Sequence, residues 1–150
     1  MLVKVAAVFV MGAAVGVMYR VPRGVLFYGG LNAALAWLVM SLLGEAGMSV
    51  VAANFFGSVA LGAAAEALAR LLRKPATIFV IPGFFPLVPG REAYTTMRWL
   101  VEGQYGEAMA MGVQTLLIAG AIAFGIFVSI TVYRLALTYF RSFGRGADRC

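Results

Sequence analysis

The chain has 150 residues, of which 63% are hydrophobic and only 12% charged, with a mean hydropathy of +0.93. A soluble domain of this size is nearer half apolar and a quarter charged, and it could not hide so much apolar surface. The composition therefore predicts an all-α integral membrane protein. There is no histidine, and the single cysteine is Cys150, so imidazole chemistry, an intrachain disulfide and a thiolate metal cluster are excluded. No cofactor or metal is expected. The net charge of +6 reads as a topology signal rather than a nucleic-acid surface.

The first apolar stretch covers residues 3–19. It carries Lys4 but no small-x-small cleavage site before Arg20, which predicts a retained span rather than a signal peptide. Its run from Gly12 to Gly16 offers a small-xxx-small face for another helix. Residues 25–43 and 48–68 are close to the roughly 20 residues that a spanning helix needs. Residues 76–90 are apolar too, but Pro82, Pro86 and Pro89 fall among them, with Pro75 just before. Proline removes a donor and clashes with the preceding turn, so this element is either a broken helix or a re-entrant loop. Residues 91–108 read as a more polar interfacial helix, with Glu92 in its first turn and Tyr94, Trp99 and Tyr105 at headgroup level. A long span over 109–133 and a cytoplasmic tail over 134–150 complete one transmembrane domain.

Charge counting chooses between the two topologies. If 76–90 crosses, there are about five spans. Arg20, Arg23, Arg70, Arg73, Lys74, Arg134, Arg141, Arg145 and Arg149 then share one side, and only Lys4, Arg91 and Arg98 face the other. That bias of nine to three places the C-terminus in the cytoplasm and the N-terminus outside. A re-entrant loop would abolish it.

Four positions in the third span, Asn54, Ser58, Gly62 and Glu66, are spaced by four and share one gently drifting helix face. Polar groups at membrane depth tend to line an interior or a water path. Glu66 is the one carboxylate within an apolar stretch, which makes it the candidate for proton coupling; equally, it can pair with Arg70 at i+4 and serve structure alone. Asn32, Gln114 and Thr115 could line the same interior or act as interhelical glue, and Gly57, Gly62, Gly112, Gly120 and Gly125 allow close helix approach. The Pro-Gly region is more specific. Discontinuous membrane helices bind substrates because half-helix ends expose backbone donors. Pro82, Gly83, Pro86, Pro89, Gly90 and Arg91, with Asn54 and Ser58 from the third span, form the candidate substrate site. Arg91 is suited to a small carboxylate solute.

The run from Ile81 to Met97, IPGFFPLVPGREAYTTM, resembles the signature of the threonine/serine exporter family, and most closely its small YjjB-type membrane subunit. Pro82, Pro86, Pro89, Gly90, Tyr94 and Met97 carry the match, with Val21-Pro22 and Lys74-Pro75 as flanking features. The resemblance implies a secondary exporter in the bacterial inner membrane, for threonine and serine or a dicarboxylate such as succinate. It also implies a half-transporter, working with a larger subunit of the family or as a homo-oligomer. A different class of function is a non-transporting scaffold that packs partner helices through Gly12 and Gly16. An intramembrane enzyme is not supported, because no catalytic pair is available.

Overall fold

A computed structural model describes residues 1–147, with side chains through residue 136. Asp148, Arg149 and Cys150 lie outside the described residues, as do the side chains of Arg141 and Arg145. The regular structure of the described residues is all helical: α1 (Leu2–Met18), α2 (Arg23–Glu45), α3 (Val50–Leu71), α4 (Thr77–Phe84) with a short 3-10 turn (Phe85–Leu87), α5 (Gly90–Val101) and α6 (Tyr105–Ala147). Among the described residues three helices are long and apolar enough to cross a membrane, namely Arg23–Glu45, Val50–Leu71 and the stretch Tyr105–Ala136 of α6; Leu2–Met18 and Thr77–Leu87 are shorter apolar helices.

Small residues set the helix spacing. A Cβ on Gly12 would lie 2.6 Å from Ala33 Cβ, and one on Gly16 would lie 2.8 Å from Leu26. α1 thus runs antiparallel to α2, and the glycine face proposed for a partner is occupied by the chain's own second helix. α3 and α6 run parallel: Gly125 faces Ser58, and Gly62 faces Ser129. Close approach of this kind is what replaces the hydrophobic effect between helices in lipid.

Four helix C-termini close alike, the third-last carbonyl of the helix accepting from the residue two beyond the cap. Val21 N–H reaches Gly16, Met48 reaches Leu43, Lys74 reaches Ala69 and Gln104 reaches Trp99, at 2.9 to 3.1 Å. The residue between cap and donor must be left-handed. Gly47 (φ 88°) and Gly103 (φ 77°) meet this need freely. Arg20 (φ 56°) and Arg73 (φ 52°) also adopt it, at a cost of about 1 kcal/mol each.

The Gly103 turn divides the region read from sequence as one interfacial helix over 91–108. α5 ends at Val101, and Tyr105 already belongs to α6. Nor does α6 stop at Tyr133; it continues unbroken into the polar tail as far as Ala147.

The helix contacts place charges at two ends. Arg20 and Arg23 lie in the α1–α2 turn, Arg73 and Lys74 follow α3, and Arg70 and Arg134 meet there too. Glu66 is the carboxylate beside them. This is the basic end. Lys4, Glu45 and the α5–α6 hairpin occupy the other.

Candidate functional site

The proline-bearing segment enters the bundle at the basic end. There Phe79 is fully buried in a cluster with Val25, Ala65 and Ala69. α4 carries Pro82 inside a short helix that gives way to the 3-10 turn at Pro86, the broken helix that is one of the two readings of the sequence. Eight residues suffice for it because Pro82 lies one turn from the end, where only the bond to the Ile78 carbonyl is lost. The ring of Pro82 sits against Gly29, at 3.1 Å from where a Cβ would be. Gly83 is backed by Leu61 and by the amide of Asn32, which leaves no room for a side chain.

Asn32 ties the break to the bundle. Its Nδ2 donates to the Phe79 carbonyl at 3.2 Å and to the Leu61 carbonyl at 3.4 Å, so one amide joins α2, α3 and α4. Asn32 is 1% exposed, and its Oδ1 has no partner. Since both neighbours are carbonyls, the amide must present its nitrogen to them and leave its oxygen free.

Beyond Phe84 the helix tightens, and Leu87 reaches the level of Ala36, Leu61, Ile118 and Ile122. Pro89 then has φ −75° and ψ 60°, and Gly90 N–H donates to the Val88 carbonyl at 2.8 Å. This is an inverse γ-turn. It unwinds the chain for one residue before Pro89 caps α5, its carbonyl accepting from Ala93 at 3.0 Å. Beside the break a cleft of about 390 Å³ is lined by Val80, Phe84, Val88 and Pro89 on one side, and by Ala119, Ile122, Ala123 and Ile126 of α6 on the other.

The structure divides the sequence-predicted site residues. Pro82 and Gly83 are buried in helix packing, Pro86 and Pro89 are half-buried at the break, and Gly90 and Arg91 are exposed. Asn54 and Ser58 are buried on α3. Ser58 donates to Phe55 of its own helix at 2.7 Å and Asn54 to Val50 at 2.8 Å. The polar row of α3 does lie on one face from Ser58 onward, but α6 covers it: Ser58 meets Gly125, Gly62 meets Ser129 and Glu66 meets Arg134. Ser129 closes the middle of this seam by donating to the Val59 carbonyl at 2.8 Å. Gln114 is exposed, and Thr115 bonds to Met111 within α6.

Among the described residues Glu66 has two cationic partners. Arg134 Nε donates to its Oε1 at 2.8 Å, and Arg70 lies 3.9 Å from its Oε2. The carboxylate side chain is 5% exposed, against 64% for Arg134 and 39% for Arg70. The guanidinium of Arg70 also stands 5.4 Å from the Tyr133 ring centroid. The expected i+4 pair is therefore present but is the longer contact, and the closer partner, Arg134, was assigned to the tail. Arg91 is far from this centre. It opens α5, whose Thr96 meets Gly112 of α6, and 22 residues of α6, about 33 Å of helix, separate Gly112 from Arg134.

Apolar helices, seams of small residues and a proline-broken segment define an all-helical membrane protein. The profile described as Threonine/Serine exporter, ThrE matches residues 4–132; the chain belongs to the threonine/serine exporter family, a family of transporters and not of enzymes. A protein of Haemophilus influenzae, described as uncharacterized, is 27% identical over 116 residues, covering 72% of this chain and 39% of that protein. The chain thus spans well under half the length of this curated relative. No solved structure matches.

Proposed function

We propose that the chain is one membrane half of a secondary exporter for small carboxylate solutes, threonine and serine or a dicarboxylate such as succinate. The observation that carries this reading is the unwound Val88–Gly90 turn beside a cleft walled by α6. In a bilayer, irregular backbone is retained where it serves a path or a site. Pro82 and Gly83 fix the break against α2 and α3; Pro86, Pro89, Gly90 and Arg91 face the solute, with the Arg91 guanidinium taking its carboxylate. Asn54 and Ser58 line the α3 wall as the seam opens.

The broken segment makes the fourth of five crossings, entering beside Ala69 and Val25 and handing over to α5 at the opposite end. The six described cations of the basic end then face the cytoplasm of a bacterial inner membrane, with the N-terminus outside. Glu66 couples transport to protons, with Arg134 as its counter-ion. The cleft is apolar and walled by α6 on one side only, so its remaining wall comes from a larger subunit of the family or a second copy. The relative's greater length supports this reading. The alternative scaffold reading is weakened because Gly12 and Gly16 are occupied by α2.

The test is flux. Vesicles holding the chain with its partner should move labelled serine, threonine or succinate with saturation. Combining Pro86→Ala, Arg91→Ala and Glu66→Gln should abolish it. Unchanged flux in that triple variant would dismiss the site assignment.

A further inference from the structure

The four matching helix ends contain an internal control. At the end carrying the α5–α6 hairpin, the left-handed position is glycine both times, Gly47 and Gly103. At the basic end it is arginine both times, Arg20 and Arg73. All four carbonyl-rich helix ends attract a cation through the helix dipole, yet only two of them carry one in the strained position. Dipole compensation therefore does not account for the difference. What distinguishes the arginines is which end of the molecule they occupy.

The two turns are neighbours. Val21 from the first, and Leu72 and Ala76 from the second, pack against the same buried cluster of Val25, Ala65, Ala69 and Phe79. Arg20, Arg23, Arg73 and Lys74 thus surround one apolar plug, and all four are exposed. Among the described residues their charges have no carboxylate: the ion pairs there are Glu66 with Arg70 and Arg134, and Arg98 with Glu102. Immediately before each turn the chain exposes apolar side chains, Val17, Met18 and Tyr19 before Arg20, and Leu71 just ahead of Arg73. In a bilayer such surface would face hydrocarbon, and the arginines that follow it in the chain would fall at the level of the phosphates. Arginine holds a phosphate through paired hydrogen bonds.

We propose that the Arg20–Arg23 and Arg73–Lys74 turns together form a binding site for the phosphate headgroup of an anionic phospholipid. The two left-handed turns each place an exposed arginine beside the same buried cluster, and the lipid supplies a counter-charge that these cations do not find among the described residues. A water-filled vestibule gathering an anionic solute would need the same cations, but it would not leave Val17, Met18 and Leu71 exposed beside them. The site is independent of which solute the chain carries.

The experiment compares the full chain with two double variants, titrating phosphatidylglycerol into a zwitterionic detergent and counting bound lipids by native mass spectrometry. Arg20→Gly with Arg73→Gly removes both charges and relieves both backbones. It should leave the thermal midpoint in zwitterionic detergent unchanged or higher, while phosphatidylglycerol binding falls about 25-fold, roughly fivefold per cation. Arg20→Lys with Arg73→Lys keeps the charge and should retain most of the binding. Phosphatidylcholine should bind equally weakly to all three proteins. Undiminished phosphatidylglycerol binding in the glycine variant would overturn the proposal. So would displacement of the lipid by millimolar succinate or glycerol phosphate, which would mark a site for soluble anions.

Discussion

Replacing Glu66 by Gln, Arg134 by Gln, and both together separates a structural tie from a coupling role. The pair is asymmetric: the carboxylate is 5% exposed and its closest partner 64% exposed, with 2.8 Å between Arg134 Nε and Glu66 Oε1. Exposed ion pairs contribute about 0.2–1 kcal/mol, whereas hydrogen bonds to a charged group contribute about 1.5–3 kcal/mol. Screening at the arginine discounts the upper range, which leaves a coupling of roughly 1–1.5 kcal/mol. Arg70, at 3.9 Å and i+4, should couple to Glu66 by no more than about 0.5 kcal/mol. Unfolding in mild detergent measures both cycles. Flux into vesicles under an imposed pH gradient then reads function. If Glu66 carries the proton, Glu66→Gln removes the response to the gradient, and Arg134→Gln alters the rate but preserves that response. A gradient response that survives in Glu66→Gln would refute the coupling role and leave Glu66 as a tie between α3 and α6.

Two glycines on α6 should respond oppositely to alanine. Gly125→Ala puts a Cβ against Ser58 and 2.7 Å from the Phe55 carbonyl oxygen and should cost about 1–3 kcal/mol, whereas Gly120→Ala meets nothing within 4 Å and should be neutral or stabilising; detergent-unfolding midpoints decide. Asn32→Leu removes two long hydrogen bonds together with one unpaired acceptor, so stability should change by under about 1 kcal/mol. Transport, measured by vesicle flux, should nevertheless fall, because α4 loses its polar anchor to α2 and α3.

The fold class and the position of the break could be read from sequence, because apolar length and proline placement act locally. The partners of the polar row could not. Spacing by four showed that Ser58, Gly62 and Glu66 share a face, but a face says nothing about what covers it. α6 carries the answering residues Gly125, Ser129 and Arg134, small opposite polar and cation opposite carboxylate, and that complementarity was available had the two helices been compared. Arg134 was passed over because charge marks the end of an apolar run, and a helix that continues beyond the bilayer looks from sequence like a tail. Glycines were equally ambiguous: Gly57, Gly62, Gly83 and Gly125 face neighbours within 3.1 Å of a would-be Cβ, while Gly120 faces open space. Only the tertiary contact separates them.

The distribution of polar ties along the α3–α6 seam says how it can open. Among the described residues its interhelical bonds are Ser129 to Val59, at the middle of the seam, and Arg134 to Glu66, at the basic end. Toward the other end the contacts are the stacked rings of Phe55 and Phe124 and the small-residue approach at Gly125, with Asn54 and Ser58 bonded inside their own helix. Separating the helices there breaks no interhelical hydrogen bond, and lipid tails can replace apolar contacts at little cost. Separating them at the basic end exposes a buried carboxylate and breaks its ionic tie. Opening of the seam would therefore start at the end where the Val88–Gly90 break and the α5–α6 hairpin lie, with the basic end as the hinge. Such opening would free the unwound Val88–Gly90 backbone.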